Sequence, residues 1–246
     1  MANFTPAVEL TPYLEKIKFF EQPIPWMYSD SVGKITVGAG HNVTAHNDYL
    51  TLDFAVKRFE RQAKGGDAGV AISKDARKVD RTASKSEIQN DFDFLTKHSG
   101  EMKKLAAKYQ QKFTTLELRA AKIDSLFRRD ASDAINICVT AFADFASYPI
   151  PCQGALIDIA FNVGSFKTFH TIRAALTCIG AYAGKDRDAD WKYERWKVAA
   201  SHSKRGKLES HDKKSGKIIH SERNLTIQNW FLQGAQPRQK AVLLTK

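Results

Sequence analysis

Residues 21–41 read EQPIPWMYSDSVGKITVGAGH, and the reading of this stretch decides the fold. Pro23 and Pro25 stop any helix that precedes it, because proline has no amide proton and its ring clashes with the turn before. Trp26, Met27 and Tyr28 lead into a turn-rich cluster, Ser29-Asp30-Ser31-Val32-Gly33. Lys34-Ile35-Thr36-Val37 then returns as a β-prone strand. Gly38 and Gly40 close the unit where backbone freedom or close approach is wanted. The stretch predicts a β-hairpin with one carboxylate, Glu21, at its entrance and a second, Asp30, nine residues later in its turn.

Two carboxyl groups of different character are what glycoside hydrolysis needs: one protonated to donate to the leaving oxygen, the other ionised to activate water or face the cationic centre. Glu21, beside Phe19, Phe20 and Trp26, is placed for its proton to be retained by desolvation, whereas an Asp in an exposed turn stays ionised. Spacing alone leaves a second reading open, in which Asp30 merely caps the turn and Glu21 is solvated.

Outward from this hairpin the pattern is mainly helical. Thr11 to Phe20 reads as a short helix with Thr11 as cap and Pro12 in the first turn. Leu50 to Ala63 shows helical spacing, and Lys64 to Arg81 is Gly-rich and charged, a loop. Ser84 opens a long helix, or two abutting ones, running through Ile88, Phe92, Leu95, Met102, Leu105 and Tyr109. Thr114 and Glu117 have capping-box spacing for another, with a further helix over about 131–146. Pro149 and Pro151 break the chain before an apolar, buried helix over 153–163. Helices over 168–181 and 191–200 follow, then a basic loop over 201–221, and a last helix over 222–232 with Gly234 just past its end. Trp191, Trp196, Trp230 and Phe231 read as core. The sum is an α+β protein, mostly α.

The chain has 246 residues, room for one large domain or two small ones. Lys and Arg exceed Asp and Glu to give a net charge of +11, which suits a polyanionic surface or serves solubility alone. Nucleic acid, anionic membrane and the acidic bacterial wall all fit that charge, but no zinc-finger, RNP-type or helix-turn-helix pattern is present. The three cysteines, Cys138, Cys152 and Cys178, do not form a disulfide framework or a metal-ligand spacing and read as reduced thiols. The segment Met1 to Pro6 lacks signal-peptide character, and no apolar run reaches the length of a membrane span.

The constellation resembles the catalytic signature of the phage-type lysozymes, glycoside hydrolase family 24. The match is carried by Glu21, Tyr28, Asp30, Gly33, Thr36, Val37, Gly38, Gly40 and His41 without a gap. The run from Pro151 to Gly164, with Phe166 and Ile172-Arg173, resembles that family's buried helix and cleft wall. Arg223, with Trp230, Phe231 and Gly234 beyond it, resembles its C-terminal helix. The resemblance implies a single two-lobed lysozyme domain over 1–246, with a small β-containing lobe over about 12–90 and a helical lobe over about 91–246. The N-terminal helix would pack on the second lobe. It implies Glu21 as general acid, Asp30 as the group holding or activating water, Thr36 as its helper, and inversion at the anomeric carbon. Tyr28, Phe161 and Asn162 would face substrate; Gly38, Gly40, His41 and Arg223 would support the site. His41 is expected to pair with Asp91 or Asp93.

The same resemblance implies no metal and no cofactor, a monomer, and peptidoglycan glycan strands as partner. It implies synthesis in a bacterial or phage-infected cytoplasm and action in the periplasm or on the wall. The role is that of an endolysin or of an interbacterial toxin, the latter with an immunity protein or a secretion-system carrier. The sequence departs from the family at Gln22, Pro23 and Pro25, where Gly and small polar residues are usual, and in extra segments over 42–82, 110–149 and 201–221. Other readings are a non-catalytic wall-binding module on the same fold, a nucleic-acid binder, and a glycosidase acting on chitin.

Overall fold

The structure, a computed structural model, describes residues 8–59, 77–204, 209–211, 218–220 and 222–236; for residues 58–59, 77–80, 187, 209–211 and 218–220 it describes the backbone alone. Internal contacts divide the chain into two compact units, residues 21–129 and residues 1–20 with 130–246. The first cut falls at the end of helix α1 (Thr11–Glu21). The second falls inside a later helix, after Arg129, whereas the resemblance implies a boundary near residue 90. Residues 91–129 stay with the hairpin because their apolar side chains share its core: Leu95, Met102, Leu116 and Leu118 join Met27, Ile35 and Val37 in one buried cluster.

The unit of residues 21–129 is α+β. Strands β1 (Ile24–Ser29), β2 (Ile35–Gly38) and β3 (His41–Asn42) form an antiparallel sheet in that order. The predicted hairpin is present, with Tyr28 opposite Thr36 and Ser29 opposite Ile35. Helix α2 (Val43–His46) follows, capped by the Asn42 side chain.

A second sheet, ordered β5–β4–β6, overturns two expected elements. Residues 54–59 form strand β4 (Phe54–Phe59), not a helix. It pairs with β5 (Arg77–Thr82), inside the stretch expected to be a loop, and with β6 (Leu116–Leu118), where a helix start was expected. Phe54, Ala55 and Val56 are all buried, as befits a central strand, and tertiary pairing overrides the helical spacing of their side chains. The remainder of both expectations, residues 60–76, lies outside the described residues. Thr114 is not a helix cap: its hydroxyl donates to Asp91 and accepts the Leu116 N–H. Glu117 pairs with Lys57 at 2.6 Å.

Helix α3 (Lys85–Lys97) does start at Ser84, with the complete capping box closed by Glu87. The long helix expected beyond it is broken, continuing only as the short α4 (Ser99–Met102) and α5 (Ala107–Gln110). Helix α6 (Ala120–Ala141) then runs unbroken where two helices were expected.

In the other unit, α7 (Ile150–Val163) is buried almost throughout, with Pro149 as cap and Pro151 in the first turn, where a proline costs no hydrogen bond. Helix α10 (Glu222–Gly234) packs on α7 and on α9 (Trp191–His202), and α8 (His170–Thr177) packs on α9. The expected loop over 201–221 contains a two-stranded ladder, β7 (Glu209–His211) with β8 (Ile218–His220). Of its basic residues, Lys204 is exposed and Arg205, Lys207, Lys213, Lys214 and Lys217 lie outside the described residues. Gly234 ends α10 rather than following it. A Cβ there would stand 2.2 Å from Cys152 Sγ, so only glycine permits this approach of α10 to α7. Trp191, Trp196, Trp230 and Phe231 are all buried, as expected of core residues.

The architecture is therefore mostly helical with small antiparallel sheets. The cysteines are free thiols, and no described helix is long and apolar enough to cross a membrane.

Candidate active site

Glu21 is the last residue of α1 and half-buried. The chain leaves it through Gln22 at φ +46, a left-handed conformation that glycine adopts freely and glutamine does not. Pro23 follows and fixes the exit. This local strain turns the chain from helix into β1 within two residues, so Glu21 stands at the entrance to the hairpin.

Asp30 occupies the turn between β1 and β2. Its Oδ1 accepts the N–H groups of Val32 and Lys34, both at 2.9 Å, while its own N–H donates to the Lys34 carbonyl at 2.9 Å. Among the described residues Oδ2 has no hydrogen-bond partner. One oxygen thus builds the turn.

Tyr28 and Thr36 face each other across β1 and β2, on one face of the sheet. Burial raises the Tyr28 hydroxyl above its ordinary range, and the negative charges of Glu21 and then Asp30 add to the shift. Both carboxylates therefore lie within electrostatic reach of this one phenol, which stays a neutral O–H donor throughout the working pH range. Thr36 is buried, and among the described residues its hydroxyl is held only by a long contact, 3.4 Å, to the Lys34 carbonyl.

A residue outside the expected set holds β1 in place. Gln110, fully buried, accepts the Ser29 N–H at 2.8 Å and donates to the Ser29 carbonyl at 2.8 Å. The same Nε2 also lies within hydrogen-bond distance of the Met102 and Leu105 carbonyls, each at 3.1 Å, so its two hydrogens are shared among three backbone acceptors. The Trp26 indole donates to the Ala107 carbonyl at 3.0 Å. The segment around α4 and α5 thereby fixes the strand that leads into Asp30.

Gly38 and Gly40 take φ of +63 and +85, and a Cβ on Gly38 would touch the Ile123 side chain. His41 is buried, but its partner is neither Asp91 nor Asp93. Its Nε2 lies 3.1 Å from Asp48 Oδ1, and Arg129 Nη2 donates to Asp48 Oδ2 at 3.0 Å while also lying 3.0 Å from His41 Nε2. Burial opposes the Asp48 charge, but His41 and then Arg129 outweigh it and hold the carboxyl below its ordinary range. Asp91 and Asp93 are committed elsewhere, to Thr114 and Gln89. His41 thus braces β3 against the Asp48 segment and α6.

The other expected residues belong to the second unit. Phe161 is half-buried and Asn162 exposed at the end of α7, where Asn162 Nδ2 donates back to the Asp158 carbonyl at 2.9 Å. Arg223 grips the fully buried Asp158, donating from Nε at 2.9 Å and Nη2 at 2.7 Å to Oδ1. It ties α10 to α7. Asp158 was not singled out from the sequence, although a lone Asp inside an otherwise apolar helix is itself a signal that a buried cation must meet it.

Comparison with known protein families, with curated proteins and with solved structures finds no match in any of the three.

Proposed function

We propose that the chain is a muramidase of the phage-lysozyme kind, cleaving the β-1,4 bond between N-acetylmuramic acid and N-acetylglucosamine in peptidoglycan. The observation that carries this reading is the shared environment of Glu21 and Asp30: both act on the Tyr28 hydroxyl, and Asp30 keeps one carboxylate oxygen unengaged. In this reading Glu21, protonated, donates to the departing glycosidic oxygen as the C–O bond breaks. Asp30 Oδ2 takes a proton from the water that attacks the anomeric carbon, and Thr36 helps to hold that water. Tyr28, Phe161 and Asn162 contact sugar, and Gly38, Gly40, His41 and Arg223 support the fold around the residues that do chemistry. The net charge of +11 favours approach to an anionic wall. The reading includes the two-lobed lysozyme fold, bacteriolytic action in the periplasm or on the wall, and, for a toxin, an immunity protein.

The test is the identity of the products. Purified peptidoglycan digested by the full chain is expected to yield muropeptides whose new reducing ends are N-acetylmuramic acid. New ends on N-acetylglucosamine, or release of peptides without new reducing ends, would show a different bond specificity and refute the reading.

A further inference from the structure

A cavity of about 620 Å³ opens in the unit of residues 1–20 and 130–246, between α8, α9 and the loops that precede α7 and α9. None of the residues considered above as catalytic lines it. Its chemistry is unbalanced. Trp191 and Arg195, one helical turn apart on α9, both line it. Trp191 is 8% exposed, and its indole N–H and the Arg195 Nε–H are buried without a partner among the described residues. The Arg195 guanidinium lies 5.1 Å from the Tyr148 ring centroid and 4.9 Å from that of Trp196. Among the described residues it has no hydrogen bond and no carboxylate within ion-pair distance. Buried donors left unpaired are costly, and native proteins retain them where something else supplies the acceptor.

Three carboxylates line the same cavity, Asp144, Asp186 and Asp188. Asp188 is engaged, accepting the Asp190 N–H at 2.9 Å. Asp144 and Asp186 have no side-chain hydrogen bond or ion pair among the described residues. The cavity therefore presents the buried, unpaired N–H groups of Trp191 and of a half-buried Arg195, an exposed Lys192 at its edge, and two exposed carboxylates that do not reach Arg195. A simple anion would meet the aspartates, and a simple cation would meet Arg195. A molecule carrying both charges close together satisfies both sides.

We propose that this cavity binds a zwitterionic α-amino-acid unit. Its carboxylate accepts from Trp191 and Arg195, and its ammonium group faces Asp144 and Asp186. The unit is supplied either by a free amino acid or, on a peptide-bearing glycan, by the uncrosslinked side chain of a diamino acid whose far α-carbon carries both ammonium and carboxylate. The proposal does not rest on muramidase activity.

The experiment is a titration of the ¹⁵N-labelled full chain followed at the Trp191 indole N–H resonance, assigned by its loss in Trp191→Phe. The probes are glycine, L-alanine and D-alanine, then N-acetyl-alanine, which lacks the ammonium, alanine amide, which lacks the carboxylate, and a soluble muropeptide. A saturable shift is expected with the unblocked probes and binding at least about tenfold weaker with both blocked ones, a loss of about 1.4 kcal/mol or more. Arg195→Gln is expected to weaken the unblocked probes by a similar factor. Should that variant fail to fold, Asp186→Asn, at an exposed position, should weaken the amino acids while leaving N-acetyl-alanine unchanged. Tighter binding of the muropeptide than of the amino acids would identify that diamino-acid side chain as the source, and the reverse a free amino acid. Absence of a saturable shift with every probe, or equal binding of blocked and unblocked forms, would overturn the proposal.

Discussion

Gln110 and Ser29 are joined backbone to side chain by a reciprocal pair of hydrogen bonds, each 2.8 Å, one residue before Asp30. The carboxamide stands in for a neighbouring strand at the point where β1 gives way to its turn. Because Gln110 is fully buried, removing it leaves several backbone groups without partners.

Gln110→Ala is therefore expected to destabilise the protein by about 2 kcal/mol or more. It should also lower hydrolytic activity measured below the melting transition, since Asp30 loses its anchor. Gln110→Glu keeps the acceptor for the Ser29 N–H but sets a buried carboxylate oxygen against the Ser29, Met102 and Leu105 carbonyls, so it should destabilise at least as much as Gln110→Ala. Denaturant unfolding and turnover on purified peptidoglycan check both, and unchanged stability in Gln110→Ala would contradict the clamp.

In the proposed function Asp30 has separable structural and chemical parts. Asp30→Asn retains an oxygen to accept from Val32 and Lys34, so its melting temperature should stay near that of the parent while activity falls about a hundredfold or more. Asp30→Ala loses the same activity and, in addition, roughly 1 kcal/mol of stability with the turn bonds. Parallel melting curves and rates separate the two effects. Equal activity in parent and Asp30→Asn would remove Asp30 from the chemistry.

The hairpin was legible because its signals are local: prolines that end a helix, a turn cluster, and a β-prone return. The capping box at Ser84 and the buried run of α7 were legible for the same reason. Strand β4 was not. Leu52, Ala55, Val56 and Phe59 recur at helical spacing, and the partners that make them a strand, β5 and β6, lie far along the chain. Thr114 and Glu117 have the spacing of a cap, yet the Thr114 hydroxyl turns to Asp91 instead. At the candidate site the carboxylates could be named from sequence, whereas Gln110, Asp48 and Arg129 could not. A buried glutamine 81 positions from its partner leaves no periodic trace, and the choice of Asp48 over Asp91 for His41 is set by three-dimensional packing.

Asp158 and Arg223 form a buried ion pair, with the carboxylate fully enclosed. Arg223→Met strands that charge and should cost about 3–5 kcal/mol, whereas Asp158→Leu combined with Arg223→Met should recover most of the loss. Urea unfolding of the two single variants and the double one gives the coupling. Additive losses would show that the pair does not act as a unit.

Asp91 is a source of pH dependence. Burial raises its pKa to about 6, against a smaller opposing effect from the Thr114 hydrogen bond. A raised pKa means that the folded protein favours the protonated form. This contribution to stability is fully present below the ordinary carboxylate range, near 3.8, and is lost as pH rises through about 6. Asp91→Asn should flatten the stability profile between these values and make the protein more stable than the parent at neutral pH. Melting temperatures across that interval provide the measurement, and a profile identical to the parent's would contradict the assignment.

The most direct test of the central claim compares the parent with Glu21→Gln on purified peptidoglycan, counting new reducing ends, with circular dichroism to establish that both are folded. The account predicts release by the parent and a loss of about a hundredfold or more in the variant. Equal release by both, or none by the folded parent, would contradict it.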